Sequence, residues 1–73
     1  MQDNPALPYL RAWRVWRGLS QQELADKAGI SKTTIVQLEH GRAVPHFVTV
    51  AKLASALGLT REQLLHAKPK RGM

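Results

Sequence analysis

The chain has 73 residues, enough for one small domain, and its 44% hydrophobic content favours a compact core over disorder. It contains no cysteine, which excludes disulfides and thiolate metal sites, and no apolar run approaches the ~18 residues of a membrane span. The formal net charge is +6 and the isoelectric point is near 10.6, which favours an anionic partner. Nucleic acid is the commonest such partner, and acidic lipid or an acidic protein remains an alternative.

The N-terminal part predicts a flexible arm, residues 1–7, followed by a helix from Pro8 to about Arg17, since proline suits the first turn of a helix. One face of this helix carries residues at spacings of three and four, namely Leu10, Trp13, Arg14 and Arg17. We expect Trp13 to lie in the core. For Trp16 we favour a position at the edge of the core. The alternative is an exposed position from which it would contact a partner protein.

The segment SQQELADKAGISKTTIVQLEHGR, residues 20–42, predicts two short helices bent around Gly29. Ser20 and Ser31 are suitable N-cap residues, and Glu23 completes a capping box with Ser20. Gly41 predicts a left-handed helix end. The predicted helices are 21–28 and 32–40, and their inward residues are Leu24, Ala25, Ala28, Ile35 and Leu38.

After a loop containing Pro45, a fourth helix is predicted at 47–57 and a fifth at 61–67. Thr60 and Gln63 form a second capping box at the start of the fifth. Residues 68–73 are a basic tail, which we expect to be solvated and mobile, with non-specific attraction to phosphates as the alternative. The inward residues of the fourth helix are Val50, Leu53, Ala54 and Leu57. The predicted fold class is therefore all-α, with five short helices around one core.

In this arrangement, GLSQQELADKAGISKTTIVQLEHGRAVP and TVAKLASALGLTREQLL resemble the Cro and phage-repressor type of helix-turn-helix domain, the XRE-like family. The resemblance covers roughly residues 8–66 and implies a compact, lambda-repressor-like domain, 8–67, whose third helix enters the major groove of double-stranded DNA. It also implies a cytoplasmic, nucleoid-associated transcriptional regulator. We expect a repressor that acts as a homodimer on a palindromic operator.

The chain departs from the family pattern at four positions outside the expected reading face: Trp13, Trp16, His46 and Val48. His46 replaces a usual serine cap, so we expect the fourth helix to begin without good capping. Arg14 and Glu39 match family positions that form a partly buried ion pair, and we expect that pair to be structural.

Base-edge contacts are expected from the start of the third helix and from one turn further along it. The candidates are Lys32, Thr33 and Gln37, with Val36 as an additional one. Lysine can donate to guanine, glutamine can pair with adenine, and threonine offers a hydroxyl or a methyl group. The alternative is that these are ordinary exposed helix residues.

Contacts with DNA phosphates are expected around the two helices of the motif, from Gln21, Thr34, His40, the Gly41 amide and Arg42. For Gln21 we also consider a contact with Lys32. For His40 the alternative is a bond to the helix-end carbonyls, and for Arg42 it is a solvated loop charge.

Neither an enzyme nor a metal or cofactor site is expected. The histidines, His40, His46 and His66, lack metal-ligand spacing, and Ser20 and Ser31 are assigned as caps rather than nucleophiles.

A second reading is an antitoxin or adaptor that binds mainly another protein, through Trp16, the arm or the tail. For homodimerisation, the resemblance implies the fifth helix and its surroundings. The apolar candidates there are Phe47, Leu59, Leu64 and Leu65, of which Leu59 and Leu64 could instead belong to the core.

Overall fold

The computed structural model describes residues 7–70, which form five α-helices and no strand. The helices are α1 (Leu10–Trp16), α2 (Gln21–Ala28), α3 (Lys32–Glu39), α4 (Phe47–Leu57) and α5 (Arg61–His66). The predicted all-α, five-helix class is confirmed. α1 begins two residues later than predicted, because Pro8 and Tyr9 form a turn, and α1, α3 and α5 each end one residue early.

Local hydrogen bonds fix the bend between α2 and α3. The Oγ atom of Ser20 accepts from the Glu23 amide at 3.0 Å, and Oε1 of Glu23 accepts from the Ser20 amide at 2.8 Å. Gly29 ends α2 with φ of 73°, a left-handed conformation that glycine adopts without a Cβ penalty. The Oγ atom of Ser31 then caps α3 by accepting from the Thr34 amide at 3.1 Å.

Capping differs between the two ends of α4, and a capping box begins α5. His46 precedes α4 without a side-chain capping bond, as its sequence predicts, and Gly58 ends the helix in the left-handed region. At α5, the hydroxyl of Thr60 accepts from the Gln63 amide at 3.1 Å, and the Gln63 side chain accepts from the Thr60 amide at 2.9 Å. The two predicted capping boxes are therefore both present.

One hydrophobic core joins all five helices. Every inward residue predicted for α2, α3 and α4 lies in it, as does Trp13, and its fully buried side chains are Leu7, Leu10, Leu24, Ile35, Leu53, Leu57 and Leu64. The placement of Leu7 in a flexible arm is therefore wrong, because this side chain is only 2% exposed and packs in the core. The rest of the predicted arm, residues 1–6, lies outside the described residues.

Two indole groups fasten the segment after α5 onto α1. The Nε1 atom of Trp13 donates to the Ala67 carbonyl at 2.8 Å, and Nε1 of Trp16 donates to the Lys70 carbonyl at 3.1 Å. The beginning of the predicted mobile tail, residues 68–70, is therefore held to α1, while residues 71–73 are outside the described range.

The longest helix, α4, has 11 residues, and within residues 7–70 no helix has the length and apolar character that a membrane crossing requires.

Candidate nucleic-acid interface

The third helix is held on the surface by one buried face. Ile35 and Leu38 are 0% and 2% exposed, and α3 packs against both α2 and α1. Because helical side chains three and four positions apart share a face, burial of these two directs the opposite face toward solvent.

The predicted base-reading residues lie on the solvent-accessible side of α3. Lys32, Thr33 and Gln37 are all exposed, whereas Val36 is half-buried. Thr33 and Gln37 are four residues apart, so their side chains are neighbours one turn apart. Among residues 7–70, no side-chain hydrogen bond holds Lys32, Thr33 or Gln37 to another part of the protein. Thr33 and Gln37 therefore lie together on the exposed face of α3, and Lys32 is exposed at the first position of the helix.

An ion pair fixes the far end of α3 to α1. Arg14 Nε lies 2.6 Å from Glu39 Oε2 and Nη2 lies 3.1 Å from Oε1, while Nη1 donates to the Leu19 carbonyl at 2.9 Å. The side chains of Arg14 and Glu39 are only 11% and 2% exposed. The predicted structural pair is present, and its satisfied hydrogen bonds are what a partly buried pair of charges requires.

Gln21 completes this arrangement from the start of α2. Its Nε2 atom donates to Glu39 Oε1 at 3.1 Å, so the side chain braces Glu39 rather than Lys32. No local sequence pattern predicts this contact, because it joins residues 18 positions apart. The backbone of Gln21 still begins a helix, where amide groups are available to an anion.

The remaining phosphate candidates lie at the two ends of α3. Thr34 is half-buried, and its hydroxyl is 2.8 Å from the Ser31 hydroxyl. His40 Nδ1 lies 2.8 Å from the Val36 carbonyl, which is the alternative role considered for it, and its other ring nitrogen takes no part in that bond. His40 and Arg42 are both exposed.

The Gly41 amide, which the sequence predicts as a phosphate contact, makes a hydrogen bond within the protein. It donates to the Leu38 carbonyl at 3.2 Å, and the Arg42 amide donates to the Gln37 carbonyl at 2.8 Å. These bonds close the end of α3, so the Gly41 amide is already occupied within the protein. The Arg42 side chain is exposed.

The charges of this region suit a polyanion. Lys32 and Arg42 bring positive charge to the two ends of α3, and the first turn of the helix has no acidic residue. The acidic residue on α3, Glu39, is neutralised by Arg14. An exposed helix with this balance can enter a groove of a duplex and contact the phosphates beside it.

Two helices joined by a tight turn, with the second exposed along its polar face, define a helix-turn-helix DNA-binding domain. The family model described as Helix-turn-helix (HTH_3) matches residues 10–64. The chain belongs to this family, which is a family of DNA-binding transcription regulators and not an enzyme class.

The chain is similar to several regulators of known sequence. An uncharacterized HTH-type transcriptional regulator from Methanothermobacter thermautotrophicus is 41% identical over 49 residues, which are 67% of this chain and 71% of that protein. The cryptic phage CTXphi transcriptional repressor RstR from Vibrio cholerae is 38% identical over 56 residues, covering 77% of this chain and 50% of the repressor. The chain therefore spans about half the length of that repressor.

Solved structures show the same fold. The restriction-modification controller protein C.AhdI from Aeromonas hydrophila superposes with a TM-score of 0.75 and 34% identity, over 77% of this chain and 85% of C.AhdI. The DNA-binding domain of the P22 C2 repressor gives a TM-score of 0.77 at 26% identity, over 89% of this chain and 86% of that domain. The predicted resemblance to phage repressors is confirmed.

Proposed function

We propose that this protein is a sequence-specific transcriptional repressor that binds a palindromic operator as a homodimer and reads base edges with α3. The single observation that carries the proposal is the exposure of Lys32, Thr33 and Gln37 on a helix whose other face is buried and whose far end is fixed by Arg14.

Each proposed reading side chain has a matching partner on base pairs. Gln37 can make two hydrogen bonds with adenine, and Lys32 can donate to guanine O6 and N7. Thr33 offers a hydroxyl and a methyl group, the latter suited to thymine. Val36 is half-buried and adds only part of its side chain to an apolar contact.

The residues at the ends of the motif position the helix without reading sequence. Arg42 and the outward ring nitrogen of His40 would bind phosphates on one side of the groove, and the α2 N-terminus at Gln21 would bind them on the other. Thr34 supports α3 through Ser31, so its contribution to phosphate binding would be secondary.

The requirement for specificity supports a dimer, because one such helix reads too few base pairs to select a single site in a genome. Of the apolar residues expected at the dimer surface, Leu64 is fully buried in the core, and Leu59 and Leu65 are half-buried. Phe47 is 65% exposed and lies 4.0 Å, measured from ring centre to guanidinium carbon, from Arg61 at the start of α5. We therefore centre the proposed dimer surface on Phe47 and Arg61.

The proposal is tested by selecting binding sites from random duplexes with the full chain. We expect an enriched palindrome whose half-sites are about one helical turn apart, with affinity that falls steeply as salt rises. A variant combining Lys32→Ala, Thr33→Ala and Gln37→Ala should fold normally but enrich no sequence. Lys52→Ala, which removes an exposed lysine from α4, is the matched control and should enrich the same palindrome.

Three results would overturn the proposal: selection that enriches no sequence, enrichment of the same site by the triple variant, or no duplex binding at low salt. The last result would favour the adaptor or antitoxin reading, in which another protein is the main partner.

A further inference from the structure

A cleft whose lining includes no residue of α2 or α3 is formed between α1, the end of α4, α5 and the segment after α5. Its volume is about 370 Å³, within the range of ~300–1,000 Å³ that small-molecule sites commonly occupy. Its walls include Trp13, Trp16, Arg17, Leu59, Lys68 and Lys70. Arg14, which supports α3, is not among the lining residues and pairs with Glu39.

The cleft has an aromatic wall in which Trp16 is the exposed ring. The two indole rings meet edge to face, with centroids 5.6 Å apart and planes at 79°. Trp13 is buried, but Trp16 remains 46% exposed. Both indole N–H groups are already bonded to the carbonyls of Ala67 and Lys70, so the walls offer ring surface rather than indole donors.

The cleft is also positively charged. The Arg17 guanidinium carbon lies 4.8 Å from the Trp16 centroid and 5.7 Å from the Trp13 centroid. Its Nε donates to the Leu57 carbonyl at 2.9 Å, which orients the group without neutralising it. Among residues 7–70, the ion pairs are those of Arg14 with Glu39 and His66 with Glu62, so Arg17 has no acidic partner there.

We propose that this cleft binds a small carboxylate with a flat apolar body, such as an arylcarboxylate. The exposed Trp16 ring, together with Leu59 and Ala67, would cover the apolar body. The terminal nitrogens of Arg17 would pair with the carboxylate, supported by the ammonium groups of Lys68 and Lys70. Guanidinium binds carboxylate through parallel hydrogen bonds, so charge and ring surface together select this class over neutral or cationic ligands. This inference does not depend on the operator-reading proposal.

The chain contains two tryptophans, and so the indole N–H resonances of the ¹⁵N-labelled full chain report directly on the cleft. The probe is 2-naphthoate, and its neutral amide, 2-naphthamide, is the matched control ligand. We expect a saturable shift of both indole resonances with 2-naphthoate and at least about tenfold weaker binding of the amide, as the loss of a charge-assisted pair predicts.

Arg17→Gln should weaken 2-naphthoate binding by about tenfold, and Lys52→Gln, which removes a lysine outside this cleft, should leave it unchanged. Should Arg17→Gln fail to fold, Lys70→Gln carries the test, because the exposed Lys70 side chain takes no part in the carbonyl bond to Trp16. We expect it to weaken binding several-fold.

Equal affinity for the acid and the amide, a shift that does not saturate, or unchanged affinity in Arg17→Gln or Lys70→Gln would overturn the proposal. The proposal would also be overturned if random duplex DNA shifted the same indole resonances at a lower concentration than 2-naphthoate does. The cleft would then be a contact with DNA phosphates.

Discussion

The guanidinium of Arg14 meets the carboxylate of Glu39 through two bonds, Nε to Oε2 at 2.6 Å and Nη2 to Oε1 at 3.1 Å. The pair joins α1 to the end of α3, so the orientation of the proposed reading helix depends on a contact that lies outside the reading face. Gln21 adds a third bond to the same carboxylate and links α2 to it.

Removing Glu39 should therefore destabilise the whole domain. Glu39→Ala leaves Arg14 charged and nearly buried, with the Leu19 carbonyl as its remaining partner, and we expect a loss of ~3–5 kcal/mol. For a domain of this size the melting temperature should fall by at least about 12 °C, as measured by circular dichroism. Glu62→Ala, at an exposed pair with His66, is the control and should melt like the wild type.

Replacing both members of the pair separates charge from packing. Arg14→Met combined with Glu39→Leu should recover more than half of the stability that Glu39→Ala loses, because no charge is then left unpaired. A double variant that melts as low as the single one would show that the bonds to Leu19 and Gln21, rather than the ion pair, hold this corner together.

Base reading and phosphate positioning should separate in affinity measurements. Gln37→Ala should reduce discrimination at particular base pairs of the selected operator by ~1–3 kcal/mol, measured against single-base variants of that site. Arg42→Ala should weaken binding to every duplex about equally and reduce the salt slope by about 1. If both variants lose affinity uniformly across sequences, the division between the two roles is wrong.

Leu7 should behave as a core residue and not as part of a flexible arm. It is 2% exposed, so we expect Leu7→Ala to cost ~2–5 kcal/mol in urea unfolding, the usual range for truncating a buried leucine. Val44→Ala is the control. Because Val44 is 80% exposed, its truncation should leave the free energy of unfolding nearly unchanged. Equal stability of the two variants would contradict the assignment of Leu7 to the core.

Phe47 should control dimerisation if the proposed surface is right. Phe47→Lys places a second cation against Arg61, so we expect a folded monomer with reduced operator affinity. Analytical ultracentrifugation measures the change. Val15→Lys is the matched control, since Val15 is 56% exposed on α1, and it should leave the dimer intact. A dimer disrupted by the Val15 change and not by the Phe47 change would place the interface on α1.

Much of the fold could be predicted because its signals are local. Ser20 with Glu23 and Thr60 with Gln63 form capping boxes within three residues, and glycines end α2 and α4. The spacing of Ile35 and Leu38 predicts the buried face of α3 and hence the exposure of Gln37 on the other.

The contacts that sequence could not predict join distant parts of the chain. Trp13 and Trp16 each bond to a carbonyl 54 positions away, and no local pattern encodes such a partner. The proline and polar residues near the N-terminus predict a loose arm, yet the spacing of three between Leu7 and Leu10 is compatible with burial on one face. The hydrogen bond from the Gly41 amide to the Leu38 carbonyl depends on the residue at which α3 ends. Sequence patterns predict a helix end only to within a residue or two.

The most decisive measurement is a titration of the ¹⁵N-labelled protein with the selected operator duplex, followed residue by residue in solution. If α3 reads the major groove, the largest shifts should fall on the backbone amides of Lys32 and Thr33 and on the side-chain amide of Gln37. A titration that leaves these three signals unmoved while the complex forms through other residues would contradict the proposed mode of recognition.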